Sequence, residues 1–240
     1  MTKNELIKAK EEIYTIKKIN DIKRNAHFID FGSEVSCYNL TSKQVIKFFD
    51  MNTTDPTKKL LIDDQIYGTN TYPFADAIQT HCKQIISYTM KFVRGTTLDK
   101  QKSIDLFYNL SYNMLLEYLT ILILDSKSIA NHGIQAFDCR DSNIIFSPTG
   151  FRQIDCIDFQ TPDKDPNIIE KTNIQLMCIT IWDSLISPYL STFLANNNLH
   201  QFQFTESPLD FIKELKSISQ KYSDTKIITL GDTKKISKKK

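Results

Sequence analysis

Several features that define whole classes of protein are scarce or missing in this chain. Its five cysteines are widely spread with no Cys-x-x-Cys pair, which argues against a disulfide framework and against a zinc site. A net charge of only +2 gives no overall attraction to nucleic acid. No segment has the roughly 20 apolar residues of a membrane span, and the charged N-terminus lacks the apolar core of a signal peptide. We therefore expect a cytoplasmic protein in a reducing compartment, with no nucleic-acid partner and no membrane span.

Glycine is also scarce. Only six glycines occur, so each is expected to mark a backbone constraint. Gly32 lies between two strand-like runs, and Gly95 directly follows another. Gly133 ends a long helical pattern, and Gly150 lies in the turn of a hairpin pattern.

Hydrophobic periodicity divides the chain into two parts. Strand-like alternation dominates the first 95 residues, and helical spacing dominates the rest. The pattern therefore predicts an α+β fold whose two parts meet near residues 92–95. We predict helices at about 3–19, 59–67, 103–130, 170–187 and 208–221, strands near 26–31, 34–40, 43–49, 75–80 and 84–92, and a hairpin over 143–157.

One segment carries the residue types needed for phosphoryl transfer. Asp138 precedes Asn143 by five residues, in a loop between the long helix and the hairpin. Asp158 and Phe159 follow the hairpin, and Asp155, near the end of the same strand, is the alternative to Asp158. A carboxylate can orient an attacking hydroxyl, while amide and carboxylate oxygens can hold magnesium on phosphates.

With these residues in place, the chain resembles the protein-kinase superfamily. The run GIQAFDCRDSNIIF is similar to the catalytic loop, and CIDFQ to the magnesium-binding DFG segment. Upstream, and in the family's order, IDFGSEVSCYNL resembles the glycine loop, KQVIKFF the lysine strand, and SYTMKFVRGTTLD the hinge. The resemblance implies a two-lobe fold with an antiparallel-sheet lobe over 1–95 and a reduced helical lobe over 96–225. The lysine cluster near the end of the sequence predicts a disordered basic tail over 226–240.

The resemblance also implies a role for each matched residue. Lys47 would pair with the α- and β-phosphates of ATP, Asp138 would orient the substrate hydroxyl, and Arg140 would contact the γ-phosphate. Asn143 and Asp158 would hold Mg²⁺. The residues implied to surround the nucleotide are Gly32, Ser33, Met90, Lys91, Phe92 and Val93.

The chain departs from the family pattern at several positions. Phe137 stands where an arginine usually precedes the catalytic Asp, and Gln160 replaces the glycine of DFG. The acid that would pair with Lys47 is Asp64, with Asp63 as the alternative. Only about a dozen residues follow the DFG-like segment before the next helical pattern, with no Ala-Pro-Glu. This truncation resembles the compact OspG-type kinases that bacteria inject into host cells, which would place the protein in the host cytoplasm.

The leading hypothesis is an ATP- and Mg²⁺-dependent protein Ser/Thr kinase with a truncated activation segment and a protein substrate or activating protein partner. The alternatives are a pseudokinase scaffold and a small-molecule kinase of the aminoglycoside or choline type. Because the segment after Phe159 is short, we also expect that phosphorylation of Thr161 is not the regulatory switch. The sequence leaves the substrate and the oligomeric state open.

Overall fold

A mixed α+β fold is formed, as the hydrophobic periodicity predicts. The residues considered below are those that a computed structural model describes: 8, 10–31, 35–50, 69–107, 109–155, 159–187, 210 and 213. Within them the chain forms a six-stranded mixed sheet, two smaller sheets and four α-helices. No helix in this part of the chain is long and apolar enough to cross a membrane. The helices predicted at 59–67 and 208–221 and the tail over 226–240 lie outside the described residues.

The main sheet is formed entirely before residue 92. Its strand order is β1-β5-β6-β4-β3-β2, and every neighbouring pair is antiparallel except β1 and β5, which are parallel. The five predicted strands are therefore confirmed, whereas the expected purely antiparallel sheet is wrong at one edge. The strands are β1 (Glu11–Ile13), β2 (His27–Phe31), β3 (Val35–Thr41), β4 (Gln44–Phe49), β5 (Ala77–His81) and β6 (Gln84–Lys91).

The predicted helix over 3–19 is contradicted at residues 11–15, while residues 3–7 and 9 lie outside the described part of the chain. Strand β1 occupies part of that range, and helix α1 (Ile16–Asn25) begins only after Thr15, whose hydroxyl accepts a hydrogen bond from the Lys18 N–H at 3.2 Å. The strand forms because its main chain pairs with β5, and Glu11 also accepts a hydrogen bond from the Thr80 hydroxyl at 2.7 Å. A non-local pairing thus overrides the local helical pattern.

Side-chain alternation gives the main sheet two different faces. Ile46 and Phe48 of β4 lie on the face that packs against Ile19 and Ile22 of α1. Lys47, between them in sequence, therefore lies on the opposite face. The apolar cluster on that opposite face contains Val35, Val45, Ala75, Ile78, Tyr88 and Met90.

The second half of the chain is mainly helical. Its helices are α2 (Gln101–Phe107), α3 (Tyr112–Asn131) and α4 (Pro166–Ile181), followed by a π-helical turn (Trp182–Ile186). The single helix predicted over 103–130 is therefore two helices, because Ser111 caps the second by accepting a hydrogen bond from the Met114 N–H at 3.2 Å. The hydroxyl of Ser103, expected to begin a helix, instead donates to the main-chain oxygens of Thr96 and Thr97 at 3.0 and 2.6 Å.

Two small sheets frame the segment of greatest chemical interest. The predicted hairpin is confirmed as β9 (Ile144–Ser147) and β10 (Gly150–Gln153), with β7 (Thr96–Thr97) along β9. Strand β8 (Gln135–Ala136), just before the 138–143 loop, pairs with β11 (Phe159–Gln160), just after the hairpin. The β8–β11 pairing therefore brings together the two segments that flank the loop and the hairpin. Lys47, on the second face of the main sheet, contacts the residue that follows the hairpin.

Gly95 permits a close approach that any larger residue would block. Its φ is +153°, and a Cβ there would lie well inside van der Waals distance of Ile145 Cγ2 and the Phe146 oxygen. We expect Gly95→Ala to lower the free energy of unfolding by about 3 kcal/mol, because strand β9 must move. Gly133→Ala is the matched control, since Gly133 also has positive φ but open space around it. Urea unfolding should show a loss of only about 1–2 kcal/mol for the control, and equal losses would contradict the steric explanation.

Candidate active site

The side chain of Lys47 connects the main sheet to the end of the β9–β10 hairpin. Lys47 is only 7% exposed to solvent. Its ammonium Nζ donates a hydrogen bond to the Ile154 oxygen at 2.8 Å and lies 3.7 Å from Oδ1 of Asp155. A buried ammonium requires such partners. The lysine predicted from the KQVIKFF strand therefore lies beside a carboxylate that follows the hairpin.

Asp155 is held by a second donor from the same sheet. The Tyr88 hydroxyl donates to Asp155 Oδ1 at 3.1 Å. Tyr88 is the Cα partner of Lys47 in the β4–β6 register, so both donors reach Asp155 from adjacent strands. The residue of the hairpin's end that the structure brings to Lys47 is thus Asp155, the alternative in the sequence analysis.

The 138–143 loop brings two polar side chains, those of Arg140 and Asn143, to the Asp138 carboxylate. Asn143 Nδ2 donates to Oδ2 of Asp138 at 2.8 Å and to its main-chain oxygen at 3.2 Å. Arg140 donates to the same Oδ2 through Nε at 2.9 Å and also through Nη2. Asp138 has a φ of +47°, a conformation that Asp tolerates better than most residues. Three of the predicted catalytic and metal residues therefore lie together.

The hairpin joins this loop to Lys47. The Ile154 N–H donates to the Asn143 oxygen at 2.9 Å, and the Ile154 oxygen accepts from Lys47. One peptide segment therefore contacts both the sheet lysine and the loop that carries Asp138. Hydrogen bonds run without a break from Lys47 through Ile154 and Asn143 to Asp138.

Two buried polar residues that the sequence analysis missed form hydrogen bonds with the main chain just before the 138–143 loop. Asn173 of α4, fully buried, accepts from the Ala136 N–H at 2.8 Å and donates to the Ile134 oxygen at 3.2 Å. Gln153 donates to the Phe137 oxygen at 2.9 Å. The sequence does carry one sign of this role: Asn173 lies among Ile and Met residues of a helical pattern, at a position expected to be buried. An amide buried there must have hydrogen-bond partners.

An apolar patch lies next to Lys47 on the sheet. Val35, Val45 and Met90 are each at most 6% exposed and belong to the cluster around Tyr88. The Phe92 N–H donates to the Lys43 oxygen at 2.8 Å, so this predicted hinge residue continues the sheet's hydrogen bonding. The roles of Met90, Lys91, Phe92 and Val93 around a nucleotide stay predictions.

A cavity of about 400 Å³ adjoins the hinge but does not reach the polar site. It is lined by Met90, Lys91 and Val93 on one side and by Phe74, Arg152 and Gln153 on the other. Lys47, Asp138 and Asp155 are not among its lining residues. A nucleotide that places its phosphates near Lys47 would therefore not have them in this cavity.

The segment before β5 is attached to helix α3. The N–H groups of Asn70 and Thr71 donate to Oδ2 of Asp125 at 2.8 and 2.7 Å. Burial raises the pKa of the Asp125 carboxyl, and these hydrogen bonds oppose that rise. The Tyr72 hydroxyl and the Ser126 hydroxyl are 2.8 Å apart in the same contact. The two halves of the chain are thereby joined through α3 as well as through Lys47.

Several predicted residues lie outside the described part of the chain. These are the glycine-loop residues Gly32 and Ser33, the metal residue Asp158, and the proposed lysine partners Asp63 and Asp64. Their assignments stay predictions.

The donor atoms at the site suit a hard cation. The Nδ2 of Asn143 donates to Asp138, so the Oδ1 of Asn143 is the atom that could coordinate a cation, and Asp155 offers carboxylate oxygens. Oxygen ligands of this kind are those that Mg²⁺ prefers, usually one or two from the protein together with substrate phosphates. No cluster of three or more His, Cys, Asp or Glu residues able to hold a metal occurs among the described residues.

No protein-family model matches the chain, and no curated protein matches it significantly. The interpretation of the site therefore depends on its own geometry.

Proposed function

We propose that this protein is an ATP- and Mg²⁺-dependent phosphotransferase with a kinase-like two-lobe arrangement, acting on protein Ser or Thr hydroxyls. The single observation that carries the proposal is the hydrogen-bonded path from Lys47 through Ile154 and Asn143 to Asp138. It connects a buried cation on the main sheet to an amide and a carboxylate of one loop, about 90 residues further along the sequence. Phosphoryl transfer needs this combination, since its catalysis is mainly positioning and charge stabilisation.

Each side chain has a distinct task in this proposal. Asn143 and Asp155 would hold Mg²⁺, which supplies charge neutralisation on the phosphate oxygens. Lys47 pairs with the phosphates. We assign the metal carboxylate to Asp155 in preference to Asp158 because Asp155 lies 3.7 Å from the Lys47 ammonium.

Asp138 acts on the acceptor. Its Oδ2 is occupied by Asn143 and Arg140, so Oδ1 is the atom that accepts the proton of the substrate hydroxyl. The hydroxyl oxygen forms a bond to the γ-phosphorus as the bond from that phosphorus to the bridging oxygen breaks, and ADP leaves with the electron pair. Arg140, 56% exposed at its side chain, can turn from Asp138 to the transferred phosphoryl group.

Transfer of label from ATP tests the proposal directly. The purified protein is incubated with γ-labelled ATP, Mg²⁺ and a cell lysate, and the double variant Lys47→Met/Asp138→Asn gives the background. We expect Mg²⁺-dependent label on protein with the wild type alone. Label in a small acid-soluble product would instead favour a small-molecule kinase. Nucleotide binding without transfer would favour a pseudokinase scaffold.

The segment after β11 is too short to serve as a phosphorylation switch. Only residues 161–165 separate β11 from α4, which begins earlier than predicted because Asp165 caps it and Pro166 occupies its first position. We expect Thr161→Ala and Thr161→Glu to retain ATP turnover within about twofold of the wild type, because a link fixed at both ends has no second arrangement to adopt. Turnover is measured with and without lysate. A strong loss in Thr161→Ala that Thr161→Glu restores would contradict this expectation.

A further inference from the structure

We infer that Tyr88 is a positioning residue that fixes the Asp155 carboxylate for Mg²⁺, an inference that rests on the function proposed above. A tyrosine is unusual at position 88, because the position is surrounded by apolar side chains. It is fully buried in a cluster otherwise made of Val, Ile, Ala and Met side chains. Phenylalanine would fill such a place without a polar atom to satisfy.

The hydroxyl of Tyr88 is directed at the candidate site. It donates to Asp155 Oδ1 at 3.1 Å, the same oxygen that lies 3.7 Å from Lys47 Nζ. Neither of these two contacts involves Oδ2. A directional donor on one carboxylate oxygen restricts the rotation of the carboxyl group and so helps to set the direction in which both oxygens point.

The ring of Tyr88 is itself held firmly. Its centroid lies 5.5 Å from that of Phe49, and its Cα faces Lys47 on β4 and Ile78 on β5. Because the residue lies in the middle of the sheet, its hydroxyl cannot follow Asp155 if that side chain turns. The sheet thus supplies a rigid donor, and Asp155 adopts the orientation that the donor allows.

The Tyr88 hydroxyl restricts the orientation of the Asp155 carboxylate in a way that Lys47 does not. A flexible lysine alone would leave the Asp155 orientation variable, since an ammonium accepts many approach directions. The tyrosine restricts it through a directional O–H bond. Removal of that bond should therefore weaken Mg²⁺ binding while nucleotide contacts elsewhere remain.

The test compares Tyr88→Phe with a matched control, Tyr72→Phe. Tyr72 is also buried, at 1% exposure, and its hydroxyl lies 2.8 Å from the Ser126 hydroxyl, away from Asp155. The measured quantity is the Mg²⁺ concentration that gives half-maximal ATP turnover. The second measurement is the rise in Tm produced by ATP with Mg²⁺ beyond that produced by ATP with EDTA.

We expect Tyr88→Phe to need about 10-fold more Mg²⁺, the usual cost of losing a residue that orients a metal ligand. Its metal-dependent rise in Tm should shrink, while Tyr72→Phe keeps both values of the wild type. The half-maximal concentration does not depend on the folded fraction, so partial unfolding of Tyr88→Phe would not obscure it. An unchanged Mg²⁺ requirement in Tyr88→Phe, or an equal rise in Tyr72→Phe, would overturn the inference alone. A wild type without any Mg²⁺ effect would remove the proposed function and this role together.

Discussion

Replacing Asp155 by Asn should lower Mg²⁺-dependent phosphoryl transfer by about 10³-fold, while Asp158→Asn should change it by less than about threefold. The substitution keeps the shape of the side chain and removes its charge. Asp155 is the acid whose Oδ1 lies near Lys47 and accepts from Tyr88. A carboxylate that holds Mg²⁺ on phosphates loses most of its effect when it becomes neutral.

Initial rates at saturating ATP and Mg²⁺ decide between the two acids. Asp163→Asn, an exposed position in the short link before α4, is the control for the loss of one negative charge nearby. Circular dichroism should show the same fold in all three variants. If Asp158→Asn loses transfer and Asp155→Asn retains it, the metal assignment returns to Asp158, and the contact of Asp155 with Lys47 has a structural role only.

The difficulty in choosing between these acids is a general limit of sequence spacing. Both acids follow isoleucine and lie within the same apolar run after β10. The contact of Asp155 with Lys47 depends on where the strand ends, and β10 ends at Gln153. That point is set by the pairing with β9 and by the Ile154 contacts with Asn143 and Lys47, none of which appears in the spacing.

Local patterns were sufficient for most of the main sheet. The strand-like runs predicted β3 and β4, and the structure then places Lys47 on the face opposite Ile46 and Phe48. The positions of Asp138 and Asn143 within one loop also followed from their spacing, because a short loop keeps its ends close.

Non-local contacts account for what the patterns missed. Strand β1 exists because Glu11–Ile13 pairs with β5, more than 60 residues away. The helical spacing around it gives no sign of that partner. The role of Asn173 is also non-local. Its two hydrogen bonds go to the main chain of Ala136 and Ile134, and they form only when α4 packs against β8.

The second large effect is expected from Lys47→Met, which should lower kcat/KM for ATP by at least about 100-fold. Methionine matches the length and apolar stem of lysine but has no charge to offer the phosphates. The buried ammonium also holds the Ile154 oxygen at 2.8 Å, so its loss should loosen the end of the hairpin as well. We expect the fold to survive, because Val45 and Met90 pack on the same face independently of the charge.

Two further variants complete the test: a substitution of Lys47 that keeps its charge, and a control at a nearby exposed lysine. Lys47→Arg keeps the charge, but the planar guanidinium cannot occupy the space of an ammonium between Ile154 and Asp155, so we expect no rescue of turnover. Lys43→Met removes an exposed lysine from the turn between β3 and β4 and should leave kcat/KM unchanged. Nucleotide binding and turnover are measured for all three proteins, with thermal unfolding as the check on folding. Full turnover in a folded Lys47→Met protein would exclude a kinase-like use of this site, because Lys47 is the residue that the proposal pairs with the phosphates.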